Sequence, residues 1–265
     1  MPNVVTALRS APVIGSLLRW RYKRMWATPR GADTWFGEYP SFAAAAAAAP
    51  KGAPLGYDQP TTTELYEHLA NRINDMDYPV LFWLLRTVDA SSHVFDLGGH
   101  SGFKFYAYRR YLPVMPRRWT VSDVPAVVAA GAERARERGE IALDFTSDPA
   151  DASGVDVLVT QGTLQYIEQP FGELVGGLKQ KPKHVIINKV PMAPGREYIT
   201  LQNIGVTYCP YRIDREGAVA EALVARGYEL VDTWENASDF RKDLPFTAAT
   251  RIRWLGHYLR LRDVA

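Results

Sequence analysis

The sequence predicts an α/β protein built on a doubly wound, mostly parallel sheet, with an N-terminal helical extension. From residue 93 onward, short apolar segments alternate with helical segments at the spacing of βαβ units, which is typical of parallel sheets. The composition, with 47% hydrophobic and 23% charged residues, is that of an ordinary globular protein and excludes disordered and collagen-like classes. We therefore expect an extension over residues 1–88 and an α/β domain over residues 89–265.

Six apolar segments are predicted to be strands because each is short and is bounded by turn-forming residues. They span residues 94–97, 119–122, 141–145, 155–160, 184–188 and 228–234. The intervening helices are predicted over residues 102–111, 125–138, 170–180 and 218–226. Pro125 in a first turn and Gly139 after a last turn are typical helix boundaries. Ligands of such sheets bind beyond the carboxyl ends of the strands, so the first βα turn is the place to look for a site.

The extension is predicted to be mainly helical. Residues 1–30 are basic and partly amphipathic, which is typical either of a helix packed on the body or of a membrane-surface helix. Ser41 is placed to cap a short helix over the alanines that follow it, and residues 61–88 have the apolar spacing of a longer helix. The aromatic cluster of Trp35, Phe36 and Tyr39 either covers a cofactor or sugar, or clasps the extension to the body.

Charge and residue usage exclude several classes of function. Lys and Arg number 31 against 29 Asp and Glu, a balance of +2 that is unlike a dedicated nucleic-acid binder, so no nucleic-acid partner is expected. The single cysteine, Cys209, excludes an intrachain disulfide and a cysteine zinc site. The five histidines are scattered singly, so no metal site is expected. No apolar run reaches the roughly 18 residues of a membrane span, and we expect a cytoplasmic protein.

The stretch 251–262 near the C-terminus carries arginines with interleaved aromatic and aliphatic residues. We interpret it as a solvated surface. Peripheral membrane contact through the two basic termini is the alternative interpretation of this stretch and of residues 1–30.

The first βα turn contains a glycine pattern that distinguishes between nucleotide sites. Its residues are Asp96-Leu97-Gly98-Gly99-His100-Ser101-Gly102. The sixth residue from Gly98 is Phe103, which excludes both a P-loop and a dinucleotide fingerprint. The pattern acidic-x-Gly-x-Gly-x-Gly, typical of S-adenosylmethionine (SAM) methyltransferases, is matched at Asp96, Gly98 and Gly102, while His100 replaces the middle glycine. Glycines are needed in such a turn because a ligand approaches the backbone closely.

Two further segments are predicted to reach the same edge of the sheet. Asp123 ends the second predicted strand, where a carboxylate can accept hydrogen bonds from ribose hydroxyls, and Val124 beside it can contact adenine. The alternative for Asp123 is an N-cap of the next helix. Gln161 and Tyr166 follow the fourth strand, in a segment that offers amide, hydroxyl and phenol groups to a polar ligand.

With these residues in view, positions 93–190 resemble the class I SAM-dependent methyltransferases, which have a Rossmann-like fold. A likeness over most of the chain is to a bacterial group of methyltransferases often found beside polysaccharide biosynthesis genes. Its motifs here are Trp35-Phe36-Gly37-Glu38-Tyr39, Phe95-Asp96-Leu97-Gly98-Gly99, Trp119-x-Val121-x-Asp123-x-Pro125 and Thr200-Leu201-Gln202-Asn203. The resemblance implies that SAM is the cofactor and that it is held by residues 96–102, by Asp123 and by the segment around Gln161.

The expected function is SAM-dependent methylation, on oxygen, of a small molecule or a sugar or glycan precursor. Tyr166, Gln202 and Asn203 are the predicted acceptor contacts, the last two in an acceptor-side insertion near residues 191–215. The alternative for Gln202 and Asn203 is local backbone capping. The substituted glycine at His100 and the lack of an obvious base favour a second hypothesis, a non-catalytic binding or scaffold subunit with the same fold.

Overall fold

A computed structural model describes residues 12–63, 72–236 and 252–262, apart from the side chains of residues 12–14. Its helices are α1 Pro12–Trp26, α2 Phe42–Ala47, α3 Tyr78–Thr87, α4 Phe103–Tyr108, α5 Pro125–Glu137, α6 Phe171–Gly177 and α7 Ala218–Val224. Its strands are β1 Thr34–Tyr39, β2 His93–Leu97, β3 Arg118–Ser122, β4 Leu143–Thr146, β5 Val157–Gln161, β6 His184–Ala193, β7 Tyr198–Asn203, β8 Tyr208–Arg215, β9 Tyr228–Glu235 and β10 Arg253–Leu261.

The centre of the molecule is a parallel sheet in the order β4-β3-β2-β5-β6. Each predicted strand of this sheet is confirmed to within a few residues, and so are the helices between them. The chain leaves β2 for β3 on one side, whereas β5 pairs with β2 on the other side. The topological switch point therefore lies between β2 and β5, at the predicted first βα turn.

Helices cover both faces of this sheet because alternate strand residues point in opposite directions. Phe95 and Leu158 belong to a cluster with the apolar side chains of α6 and α7. Val94 and Val157 belong to a second cluster, on the other face, with those of α3 and α4. The doubly wound architecture that the sequence predicts is thus confirmed.

The sequence pattern of the segment 251–262 predicts a solvated surface. For its described residues this interpretation is wrong, because they contain an internal strand, β10. β10 lies antiparallel between β6 and β9. Trp254, Leu255, Tyr258 and Leu259 in it are buried. Its arginines form ion pairs with β9 instead of a free basic patch, since Arg253 and Arg260 pair with Glu235 and Glu229. Charged residues at the ends of a buried strand produced the misleading pattern.

The extension and the insertion near residues 191–215 form a second, antiparallel part of the sheet. β1 pairs with β7, β7 pairs with β8, and β8 joins the end of β6 at Met192 and Ala193. We call β1, β7 and β8 the wing. None of these three strands was predicted, because their side chains are buried on both faces and show no period of two.

The remaining extension residues follow the sequence in part. The side chain of Ser41 accepts a hydrogen bond from Ala44 N at 3.1 Å, which confirms the predicted cap. α3 occupies the end of the predicted helical region 61–88. Most of the apolar repeat on which that prediction rests, at residues 64–71, lies outside the described residues. In the described ranges no helix has the length and apolar character that crossing a bilayer requires.

Aromatic packing and one amide join α1 to the wing. Trp26 packs against Phe36 of β1 and Tyr208 of β8, with ring centroids 5.4 and 5.0 Å apart. Asn203 Nδ2 donates to the carbonyl oxygens of Trp26 and Thr28 at 2.6 and 2.9 Å. The sequence left two alternatives for the aromatic cluster of Trp35, Phe36 and Tyr39. Of these residues, Phe36 holds the extension to the body, which is the second alternative.

We expect Asn203→Ala to lower the free energy of unfolding by about 1–3 kcal/mol, because the buried carbonyl of Trp26 and the partly buried hydrogen bond to Thr28 lose their donor. Urea denaturation measures this change. Ile141→Ala is the control, since its side chain is 98% exposed, and its effect should stay within about 0.5 kcal/mol. Equal stability of the two variants would contradict the clasp.

Candidate functional site

The turn after β2 has the backbone that its glycines predict. Gly98 and Gly102 have φ of 73° and 80°, in the left-handed region that side chains disfavour. At Gly99, an added Cβ would lie 2.5 Å from the carboxylate of Asp96, so the backbone wraps directly over this acid. His100 itself adopts φ of 54°, so the residue that replaces the middle glycine keeps the glycine-like conformation.

Asp96 is the acid beneath the turn. Its side chain is almost wholly buried and accepts a hydrogen bond from Trp119 Nε1 at 3.3 Å. Burial raises the pKa of Asp96 to about 7, although the hydrogen bond from Trp119 and the charge of Lys104 oppose this shift. The turn thus encloses a carboxylate whose ionisation a nearby cation would favour.

Asp123 approaches the same turn from the end of β3. Its Oδ2 accepts the backbone N–H of His100 at 2.9 Å, and its Oδ1 accepts that of Val124 at 2.8 Å. Burial raises the pKa of Asp123 to about 6, against these two hydrogen bonds. The helix cap considered for Asp123 is supplied instead by Asp58, whose Oδ1 accepts Ala126 N at 3.0 Å. Asp96 and Asp123 therefore converge on one turn.

The extension lies over this edge of the sheet. His100 Nε2 lies 3.1 Å from the carbonyl oxygen of Thr62, and its ring stacks on Phe103. Lys104 Nζ lies 2.6 Å from Asp77, an acid of the extension whose side chain is fully buried. Asn188 Nδ2 donates to Met76 O at 2.9 Å. We call residues 55–63 and 72–77 the cap.

Asp77 is a residue of this edge that sequence reasoning missed. Burial alone would raise the pKa of its carboxyl, but the charges of Lys104 and Lys189 and the hydrogen bond from Lys104 hold the pKa below its usual value. In the sequence Asp77 is marked only as an acid before an apolar helix, and such acids are common. Its partner, Lys104, lies 27 residues away in the chain.

Gln161 and Thr163 follow β5 at the switch point. Gln161 Oε1 lies 3.1 Å from Tyr108 OH and accepts from Asn188 Nδ2 at 3.3 Å. Its Nε2 is buried and has no hydrogen-bond partner among the described residues. Thr163 lies so close to Gly98 that an added Cβ there would be 2.1 Å from its Oγ1. Thr163 thus contacts the turn, whereas the contacts of Gln161 are with Tyr108 and Asn188.

The three predicted acceptor contacts separate into two groups. Tyr166 OH donates to Gln202 Oε1 at 2.7 Å, and its ring packs edge-on against Tyr57 of the cap and Tyr211 of the wing. Asn203 points away, toward α1, with both ends of its amide in hydrogen bonds to backbone. Tyr166 and Gln202 thus form one aromatic and amide group between the cap and the wing.

Two surface cavities lie elsewhere, at the amino ends of the strands. One of about 460 Å³ is lined by Tyr106, Arg109, Arg110, Arg138 and Glu140. The other, of about 510 Å³, is lined by Lys183, His184, Glu229, Arg260, Leu261 and Arg262. We place the site at the turn because Asp96 and Asp123, whose pKa values are raised, meet there at the glycine backbone. Among the described residues no group of three or more His, Cys, Asp or Glu could hold a metal ion.

Solved structures share this architecture. The cyclase SpnF is 16% identical, with a TM-score of 0.55 over 80% of this chain and 99% of its own. A phosphoethanolamine N-methyltransferase of Haemonchus contortus is 12% identical, with a TM-score of 0.54 over 77% of this chain and 58% of its own. Magnesium protoporphyrin IX methyltransferase of Synechocystis is 14% identical, with a TM-score of 0.50 over 78% of this chain and 96% of its own.

The chain has the fold of the class I SAM-dependent methyltransferases. No protein-family model and no curated protein matched the sequence. Because a cyclase also has this fold, the fold alone does not determine the reaction, and the function must be argued from the site.

We expect the ionisation of Asp96 to lower the stability of the protein as the pH rises from about 5 to 8. The folded-state pKa of Asp96, about 7, lies above its ordinary value of 3.8, so the folded state binds the proton more tightly than the unfolded state. Asp96→Asn keeps an acceptor for Trp119 and should reduce this fall by about 1–3 kcal/mol.

Urea denaturation at the two pH values measures the effect. Asp144→Asn is the matched control, because this carboxylate is exposed and pairs with Arg118 on the surface. Identical pH slopes for wild type and Asp96→Asn would contradict the raised pKa.

Proposed function

We propose that the chain is a SAM-dependent methyltransferase that transfers a methyl group to an oxygen of a small molecule or of a sugar or glycan precursor. One observation carries the proposal. Asp96 and Asp123 contact the same glycine turn, at the switch point of a sheet with the methyltransferase fold.

The groups at the turn and beside it have the chemistry that binding SAM requires. Three residues of the turn, Gly98, Gly99 and Gly102, have no side chain that could keep a ligand away from the backbone. The carboxylate of Asp96 beneath them, once ionised, would compensate for a cation bound at the turn. Asp123 is partly exposed, and each of its oxygens retains a lone pair for a ribose hydroxyl after accepting one N–H. Val124 beside it is partly exposed and can contact adenine, and Gln161 Nε2 is a donor that still needs a partner.

SAM supplies an already activated methyl group when bound, so the chain has to position the acceptor and keep water out. Orientation of two reactants can contribute on the order of 7–11 kcal/mol to the lowering of a barrier. Tyr166, in the segment that follows β5, packs against Tyr57 of the cap and donates a hydrogen bond to Gln202 of the wing. We assign them to acceptor contact. Asn203 supports them by fixing the wing to α1.

Isothermal titration calorimetry with S-adenosylhomocysteine tests the cofactor part of this proposal. We expect binding by the wild type and a loss of about 1–3 kcal/mol, or roughly tenfold to a hundredfold in Kd, for Asp123→Ala. Asp144→Ala, which removes an exposed carboxylate two strands from the switch point, should bind as the wild type does. No binding by the wild type would contradict the assignment of the site.

Methyl turnover separates the enzyme from its alternative. A polysaccharide-precursor extract incubated with methyl-labelled SAM should become labelled at oxygen. Cofactor binding without labelling would favour the second hypothesis, a non-catalytic binding or scaffold subunit.

We also propose that α1 contacts an anionic membrane surface. Leu17 and Trp20 are more than half exposed on α1, and Arg21 beside them is also exposed. Arg24 lies 4.8 Å from the centre of the Trp20 ring. An apolar ring with cations around it is typical of interfacial helices.

Co-sedimentation with phosphatidylglycerol vesicles should show binding that weakens at high salt and about tenfold in Trp20→Ala, because the ring loses its apolar burial. Ile141→Ala removes an even more exposed apolar side chain, far from α1 in sequence, and should have no effect. Unchanged sedimentation of Trp20→Ala would refute the contact.

A further inference from the structure

Lys189 has an unusual place at the carboxyl edge of the sheet. It follows the part of β6 that pairs with β5, and its φ of 59° is left-handed, which is rare for a lysine. Asn188 and Lys189 together face the single residue Gly256 of β10, because the register shifts there by one residue. Bulges of this kind redirect side chains and are common beside active sites, as is backbone strain.

The ammonium group of Lys189 lacks a close counterion. Among the described residues no carboxylate forms an ion pair with it, and the nearby Asp77 pairs with Lys104 at 2.6 Å. Burial and the charge of Lys104 lower the pKa of Lys189 to about 8, while the charges of Asp77 and Asp75 oppose this. At neutral pH the amine is still mostly protonated, so a half-buried positive charge remains for a ligand to neutralise.

Unpartnered amide atoms lie in the same place. Gln165 is 4% exposed, yet its Oε1 has no hydrogen-bond partner among the described residues, and the same holds for Gln161 Nε2. Measured from the position where a Cβ of Gly162 would be, Gln165 Nε2 is 3.8 Å away and Lys189 Cδ is 3.9 Å away. Buried polar atoms without partners require an explanation, and a polar ligand supplies one.

We propose that Lys189 binds an oxyanion of the methyl acceptor, a carboxylate or a phosphate, and that Gln165 Oε1 accepts a hydrogen bond from a hydroxyl of the same molecule. The inference rests on the proposed methyltransferase function and narrows its substrate to a hydroxylated acid or phosphate ester. Lys189 Nζ is a charged donor, which suits an anion, and Gln165 Oε1 is an acceptor, which suits a hydroxyl.

Reductive methylation with formaldehyde, followed by peptide mass spectrometry, tests the inference on the full chain with S-adenosylhomocysteine added. Inorganic phosphate or acetate should slow the modification of Lys189 by about fivefold or more, because a bound anion both covers the amine and raises its pKa. Lys51, which is exposed and lines neither surface cavity, is the internal control and should not respond. Protection by one anion alone identifies which oxyanion the site takes.

Variants provide an independent readout. Phosphate should raise the Tm of wild type and of Lys189→Arg, which keeps the charge, more than that of Lys189→Gln. Lys51→Gln, a change at an exposed lysine outside both surface cavities, corrects for the general stabilising effect of phosphate on proteins.

Failure of both anions to protect Lys189, or a Lys189 that formaldehyde cannot reach without them, would overturn the inference. Calorimetry with S-adenosylhomocysteine on the same sample keeps the two proposals apart. Binding of the cofactor product without anion protection refutes only the oxyanion site, whereas absence of that binding refutes the proposed function.

Discussion

The contact between the buried carboxylate of Asp96 and the backbone that passes over it is the constraint on which the site depends. Gly99 has no space for a Cβ at this point, and Gly98 and Gly102 must have left-handed backbones for the chain to turn so tightly. Asp123 then holds the far side of the turn through the N–H of His100. One strand end, one turn and a second strand end are thereby joined into a single polar structure at the switch point.

The extension completes what the α/β domain begins. The buried pair of Asp77 and Lys104 links the cap to the first residues after the turn, and Asn188 links it to β6. A buried ion pair is not by itself a strong source of stability, because desolvation offsets most of its attraction. Its effect here is geometrical, since it fixes the cap over the edge where both acids, Gln161 and Lys189 lie.

The sequence predicted the parts of this molecule whose signals are local. Strands β2 to β6 and the glycine turn follow from apolar runs and from residues that only a tight turn requires. β10 was missed because charged residues stand at the ends of this buried strand. The strands of the wing were missed because their side chains are buried on both faces and show no period of two. Asp123 was predicted at the correct strand end. The shifted pKa values of Asp77 and Lys189 result from burial and from neighbouring charges, which residue spacing in the sequence does not indicate.

The position of β10 has a consequence for biosynthesis. This strand is made after every element that it touches. It lies between β6 and β9 and covers one edge of each. During translation these two edges stay open until residues 253–261 have left the ribosome. Open strand edges recruit other chains, so the nascent protein passes through an aggregation-prone interval in which a chaperone has a well-defined surface to protect.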